Sequence, residues 1–217
     1  LTFIGGDSFY ACMRLNFDHL PTNLEWIAPG AFNFCKSLVL AGPFPAKVPR
    51  IQDYTFQHCT RLALPALPPN LLSVGTMAFL FCESLRLTTL PETVVFINRY
   101  SFAGCKNMAL TKLPEDLVWI GRGAFEECKS LKFTKFPDKM NALSQNPIIQ
   151  PYAFQFCSEP IRELANALYK HLGLFSTGGE DENNPSSSDK IQRWRNSLQN
   201  AAFFYEYDAA IALTKTL

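Results

Sequence analysis

Apolar positions along the chain return in one frame, Ile-Gly-x-x-Ala-Phe-x-x-Cys-x-x-Leu-x-Leu-x-x-Leu-Pro-x-x-Leu-x-x. Its Phe-x-x-Cys core starts at Phe9, Phe32, Phe56, Phe79, Phe102, Phe125 and Phe154. All seven cysteines lie in it, at Cys12, Cys35, Cys59, Cys82, Cys105, Cys128 and Cys157, with steps of 23, 24, 23, 23, 23 and 29 residues. A period of this length is the mark of stacked supersecondary units and not of a domain with one centre. A small residue always precedes the Phe (Ser8, Ala31, Thr55, Ala78, Ser101, Ala124, Ala153), which lets the chain pass close to a neighbouring coil.

The Leu-x-Leu arm, such as Leu62-Ala63-Leu64, alternates with period two and predicts a short strand with one face inward. Proline ends that strand in the first six repeats because it cannot donate to a ladder. Ala-Phe-x-x-Cys predicts a tight turn or a single helical turn. A unit this short cannot bury its own apolar face, so stacking must supply the core, with parallel strands forming a sheet along one side. Two irregularities stand out: an extra residue around Gly42-Pro43-Phe44, and a six-residue insertion within Asn141–Pro147 that should bulge as a loop.

After Pro160 the period changes. Ile161, Leu164, Ala165, Leu168 and Leu172 follow helical spacing, with Gly173 as a stop. The expected organisation is a solenoid over 1–160, a capping helix over 161–175, a flexible acidic linker over 176–189 and a C-terminal helix or helices over 190–217.

The repeat resembles the BspA-like class of leucine-rich repeats over about Ile4 to Pro160, and seven in-register copies make the resemblance specific. It implies a repeat solenoid whose surface binds other molecules, in a class of surface and adhesion proteins that are not enzymes.

Composition adds exclusions. The whole chain carries +1, and residues 1–160 hold 14 Lys/Arg against 12 Asp/Glu, without the basic excess that sequence-independent nucleic-acid binding requires. No apolar run approaches the roughly 20 residues that span a bilayer. Leu1 opens in mid-pattern without a Met, which reads as a fragment and leaves the compartment open between cell surface and cytoplasm.

Candidate chemistry is sparse. Equal spacing places the seven cysteines in one column of buried thiols, and free Cys behaves as a small hydrophobe. Disulfides between neighbouring coils are the alternative that a spacing of about 4.8 Å permits. A metal site has the least support, because the short paired spacing of zinc ligands is missing. His58 beside Cys59 is a sequence neighbour, not a base placed across from a nucleophile. The pairs Glu115-Asp116 and Glu126-Glu127 read as solvated charge. No catalytic, cofactor or metal constellation assembles.

Recognition has better candidates. Outward positions of repeats four to six stack into a Thr/Lys strip of Arg86, Thr88, Thr89, Thr111, Lys112, Lys132, Thr134 and Lys135, suited to an acidic partner or a glycan. Trp26, Phe96 and Trp119 share the position before the repeat's Ile and form a candidate aromatic patch, with burial between coils as the competing account. The residue before Cys varies (Phe34, His58, Phe81, Gly104, Glu127, Phe156), as a partly exposed position would. A non-catalytic scaffold that binds protein or glycan is the first reading. A structural or adhesive spacer, and a module that recruits substrate for a catalytic domain outside this chain, are the alternatives.

Overall fold

The computed structural model describes residues 1–141 and 148–172, so the predicted insertion loop, linker and C-terminal helices lie outside the described residues. Seven coils stack in chain order. Each contributes a two-residue strand: β1 (Phe3–Ile4), β2 (Trp26–Ile27), β3 (Arg50–Ile51), β4 (Ser73–Val74), β5 (Phe96–Ile97), β6 (Trp119–Ile120) and β7 (Ile148–Ile149). All pair in parallel with the next coil, as a two-stranded sheet β1-β2 and a five-stranded sheet β3-β4-β5-β6-β7. The break between β2 and β3 falls in the repeat with the extra residue, where Leu40 takes a positive φ of 49° and Gly42 N donates to Asp18 O.

The strand is therefore not where the alternation pointed. The Leu-x-Leu arm does point Leu62 and Leu64 inward, but its coils share only scattered bonds, such as Ala63 N to Val39 O and Lys132 N to Leu110 O. Any extended chain alternates its side chains, whether or not it joins a ladder. The paired ladder sits at the two residues ending in the repeat's Ile. There the outer pair faces away from the core and the flanking pair faces in: Val118 and Trp119 are half-buried between buried Leu117 and Ile120.

The interior is a spine. Phe9, Phe32, Phe56, Phe79, Phe102, Phe125 and Phe154 stack ring on ring with centroids 5.1 to 5.6 Å apart and planes within 11° of parallel. Each buried Phe is worth about 1.5–3 kcal/mol by area, and each stacked pair about 0.5–1.5 kcal/mol more. Beside the spine run the thiols. Cys35, Cys59, Cys82, Cys105, Cys128 and Cys157 each donate Sγ–H to the Phe carbonyl of the preceding coil at 3.0 to 3.1 Å. A thiol fills the volume of a small hydrophobe and still satisfies a buried carbonyl, which an alanine cannot do. The seven cysteines are free of disulfides. Cys12 departs from the expected buried column: it is exposed, in the first described coil.

Opposite the strands the coil closes through turns with two left-handed residues, five and one before each Cys. In the third coil these are Tyr54 (φ 59°) and His58 (φ 58°), and the same two places have positive φ in all seven coils. Only Gly30, Gly104 and Gly123 among them are glycines, so most coils carry the strain of about 1–2 kcal/mol per residue. The conformation aims three N–H groups at the next coil: Tyr54 N to Thr76 O, Phe56 N to Ala78 O and His58 N to Leu80 O, at 2.7 to 2.9 Å. Those bonds satisfy backbone groups that stacking would otherwise bury unpaired.

Two helices complete the described residues, α1 (Asp138–Asn141) and α2 (Glu159–His171). Helix α2 begins before Ile161, since Pro160 fits the first turn, where no N–H is needed. It buries Ile161, Ala165, Leu168 and Tyr169, and the Tyr169 hydroxyl donates to Gln150 O just after β7 at 3.3 Å.

Candidate recognition surfaces

Three outward faces follow from this geometry. On the sheet side, Phe96 and Trp119 stand in register on β5 and β6, flanked by half-buried Leu72, Val95 and Val118. Trp26 does not join them. It pairs with Phe3 in the two-stranded sheet, and Arg50 and buried Ser73 lie between it and Phe96. The expected single aromatic patch is thus two aromatic pairs.

The Thr/Lys strip lies on the arm after each strand-to-turn passage. Its eight residues are all exposed. Neighbouring coils are tied there by Thr111, whose N and Oγ1 both donate to Thr88 O at 3.0 and 3.3 Å. The strip is not a plain basic face. Lys112 pairs with Glu92, Lys135 lies 3.5 Å from Asp138, and Lys139 pairs with Asp116 beside them. Glu92 raises the Lys112 ammonium above the usual lysine range by a hydrogen bond and by its charge.

The third face is the turn side, which carries the two left-handed columns. The column before the cysteines stacks Phe34 on His58 at 4.4 Å and His58 on Phe81 at 5.0 Å. Desolvation there, helped by Lys36, pushes the His58 pKa down, and its neighbour Cys59 is buried and engaged with Phe32 O. The ring has no nucleophile to serve. The column then breaks at Gly104, and the other column breaks at Gly123 one coil on. At the first of these gaps lies an open notch of about 290 Å³, with Phe81, Tyr100, Gly104, Glu126 and Glu127 in its lining. Sequence reasoning treated Glu126-Glu127 as solvated charge. Both are half-buried, and burial, then the Glu127 charge, raises the Glu126 pKa. The glycines at variable column positions were the available signal.

Burial keeps the six inner thiols in their unreactive form. It holds Cys35 up at about 11 and Cys157 at about 12, and it also raises Cys82 and Cys128 well above the ordinary thiol range. The reactive form of cysteine is the thiolate, so these sulfurs are inert at neutral pH. Among the described residues no group of three or more His, Cys, Asp or Glu is arranged to hold a metal ion, and no helix is long and apolar enough to cross a membrane.

Comparison with known proteins agrees with the fold. A family model described as the BspA type leucine rich repeat region matches in six copies, over residues 1–109 and 43–160. A leucine-rich repeat protein from Bacteroides ovatus is 30% identical with a TM-score of 0.63, over 71% of this chain and 38% of that one. A leucine rich cell surface protein from Faecalibacterium prausnitzii is 33% identical with a TM-score of 0.51, over 60% of this chain and 35% of that one. The leucine rich repeat protein of T. pallidum, 22% identical with a TM-score of 0.55, shares the fold over 82% of this chain and 79% of its own. The chain therefore spans little more than a third of the length of the first two. No curated protein matches it in sequence.

Proposed function

The chain belongs to the BspA-type leucine-rich-repeat proteins, and from that premise we propose that it is a non-catalytic recognition scaffold, closed at one end by α2, whose partner is a protein or a glycan. One observation carries this reading. Every internal coil buries the same Phe, Cys and aliphatic positions, whereas the outward positions differ from coil to coil. Stacking uses up the repeated residues and leaves the variable ones to meet a partner. The six inner thiols, buried and protonated at neutral pH, serve the stack and not a reaction.

Of the three faces, the sheet side and the strip offer the broadest surfaces. Half-exposed Phe96 and Trp119 are the kind of side chain that anchors interfaces, and the threonines and lysines of the strip supply polar contacts around them. A second reading, an adhesive or spacer segment of a longer cell-surface protein, is favoured by the description of the Faecalibacterium relative.

The test is capture of proteins and of arrayed glycans by the full chain. A retained partner should be lost with Lys112→Glu/Lys132→Glu/Lys135→Glu or with Phe96→Ala/Trp119→Ala, the fold being intact by circular dichroism. A folded chain that retains no protein or glycan beyond what its denatured form retains overturns recognition in favour of a spacer.

A further inference from the structure

The notch on the turn side opens at Gly104, and one coil on the other left-handed column loses its side chain at Gly123. A Cβ on Gly104 would collide with the ring of Phe81, and one on Gly123 with the ring of Tyr100. Each ring leans over the glycine of the next coil, into space that a side chain fills elsewhere in the column. Both glycines have positive φ, 73° and 62°, but so do the non-glycine residues at these places in other coils. Backbone conformation is therefore not what demands glycine here. Room for the two rings is.

The result is a concavity of about 290 Å³, at the lower limit of the roughly 300 Å³ that small-ligand sites begin at, and sized for one side chain. Its lining is mostly apolar, with Phe81 and Tyr100 beside Met77, Leu80 and Ala103, and it includes the carboxylate-bearing Glu126 and Glu127. Glu126 and Glu127 are half-buried, and among the described residues neither has an ion-pair partner. Two cations of the chain, Arg122 and Lys106, feel the charge of Glu126 and Glu127 without forming an ion pair with them, and each has another partner. Lys106 pairs with Glu83 at 2.8 Å, and the Arg122 guanidinium lies 5.1 Å from the centre of the Tyr152 ring. That last contact shows that this face already accepts a cation over one of its column aromatics. Aromatic faces and a desolvated carboxylate both favour a cation, and together they favour one with an apolar stem.

We propose that the notch formed by Phe81, Tyr100, Gly104, Glu126 and Glu127 receives a lysine or arginine side chain of a partner protein. The stem lies along Phe81 and Tyr100, and the charged head meets the two carboxylates. The biological use of the notch rests on the recognition reading above. Its affinity for a cation does not.

The two are separated by titrating the full 217-residue chain with single capped residues and following backbone amide signals by NMR. N-acetyl-lysine methylamide and N-acetyl-arginine methylamide should give saturable shifts centred on Gly104 and Glu127. Uncharged N-acetyl-norleucine methylamide should give none. Affinity should fall at least tenfold in Glu126→Gln/Glu127→Gln and, independently, in Tyr100→Leu, each with its fold intact by circular dichroism. If one variant does not fold, the other still decides. Equal shifts from the norleucine probe, or no saturation by either cation up to about 50 mM, would overturn the proposal. Partner capture by the whole chain would then still stand or fall by its own experiment.

Discussion

Phe79 and Phe81 sit two residues apart in one coil and belong to different regions of the molecule. Phe79 is fully buried in the spine, stacked between Phe56 and Phe102, while Phe81 is 37% exposed and ends a column that breaks at Gly104. The same turn builds both. In the spine every coil supplies the same ring, so each of the five inner rings has two identical neighbours and any departure there leaves a hole. On the turn side each coil supplies something different, and one coil's gap becomes its neighbour's pocket. Stability is thus concentrated in the uniform column and variation in the other, which is the division of labour a recognition scaffold needs.

The comparison is tested most severely by alkaline pH, since the thiol column belongs to the uniform region. Burial raises the folded-state pKa of the six inner thiols, so the unfolded chain releases its protons first. Stability is then fully present below the ordinary thiol range of about pH 8.5 and is lost as pH rises through it toward about 11, where Cys35 titrates. At up to about 1.4 kcal/mol per thiol per pH unit, six thiols lose about 8 kcal/mol per unit, comparable with the roughly 5–15 kcal/mol that holds a domain together. Urea midpoints between pH 8 and 10.5 should fall steeply. Thiol labelling at pH 8 without denaturant should modify Cys12 rapidly and the other six slowly. A flat stability profile, or seven equally fast thiols, breaks the distinction between inner and outer columns.

The next test is smaller and more local. Phe79→Ala should cost about 3–5 kcal/mol, because it opens a cavity between two stacked rings. Phe81→Ala should cost only about 0.5–1.5 kcal/mol, the worth of its contact with His58 and little more. Equilibrium denaturation of the two variants measures the contrast directly. Similar losses would mean that the outer column carries load too, and that its gaps are defects and not places for a partner.

The spine was legible in the sequence because identical side chains at a fixed period can only be stacked against each other. What could not be read depended on neighbours. Leu62 and Leu64 alternate like strand residues, yet the ladder forms at Arg50–Ile51, where the backbones come into register. Tyr54, Met77 and Glu127 hold left-handed conformations that their chemistry does not advertise, since bonds to the next coil stabilise them and not any local preference. Cys12 matches its six counterparts in sequence, yet it is exposed where they are buried. The notch needed two ring positions that no spacing encodes. Six of the seven thiols and the Phe stack followed from the repeat alone; the faces did not.

The smallest expected effect sharpens the role of the strip. Lys112 and Glu92 form an ion pair in which both side chains are more than half exposed, and Lys135 and Asp138 form another. Exposed pairs of this kind contribute about 0–1 kcal/mol, because water screens the charges and two long side chains must be held still. Lys112→Glu should therefore leave the urea midpoint almost unchanged, with what small shift remains vanishing in 1 M salt. A strip with so little to do in folding is free to vary, and its lysines hold carboxylates loosely enough to exchange them for an acidic partner. If Lys112→Glu instead unfolds the chain in a salt-independent way, the strip belongs with Phe79 and the spine, and the binding surface has to be sought on the sheet side or at the notch.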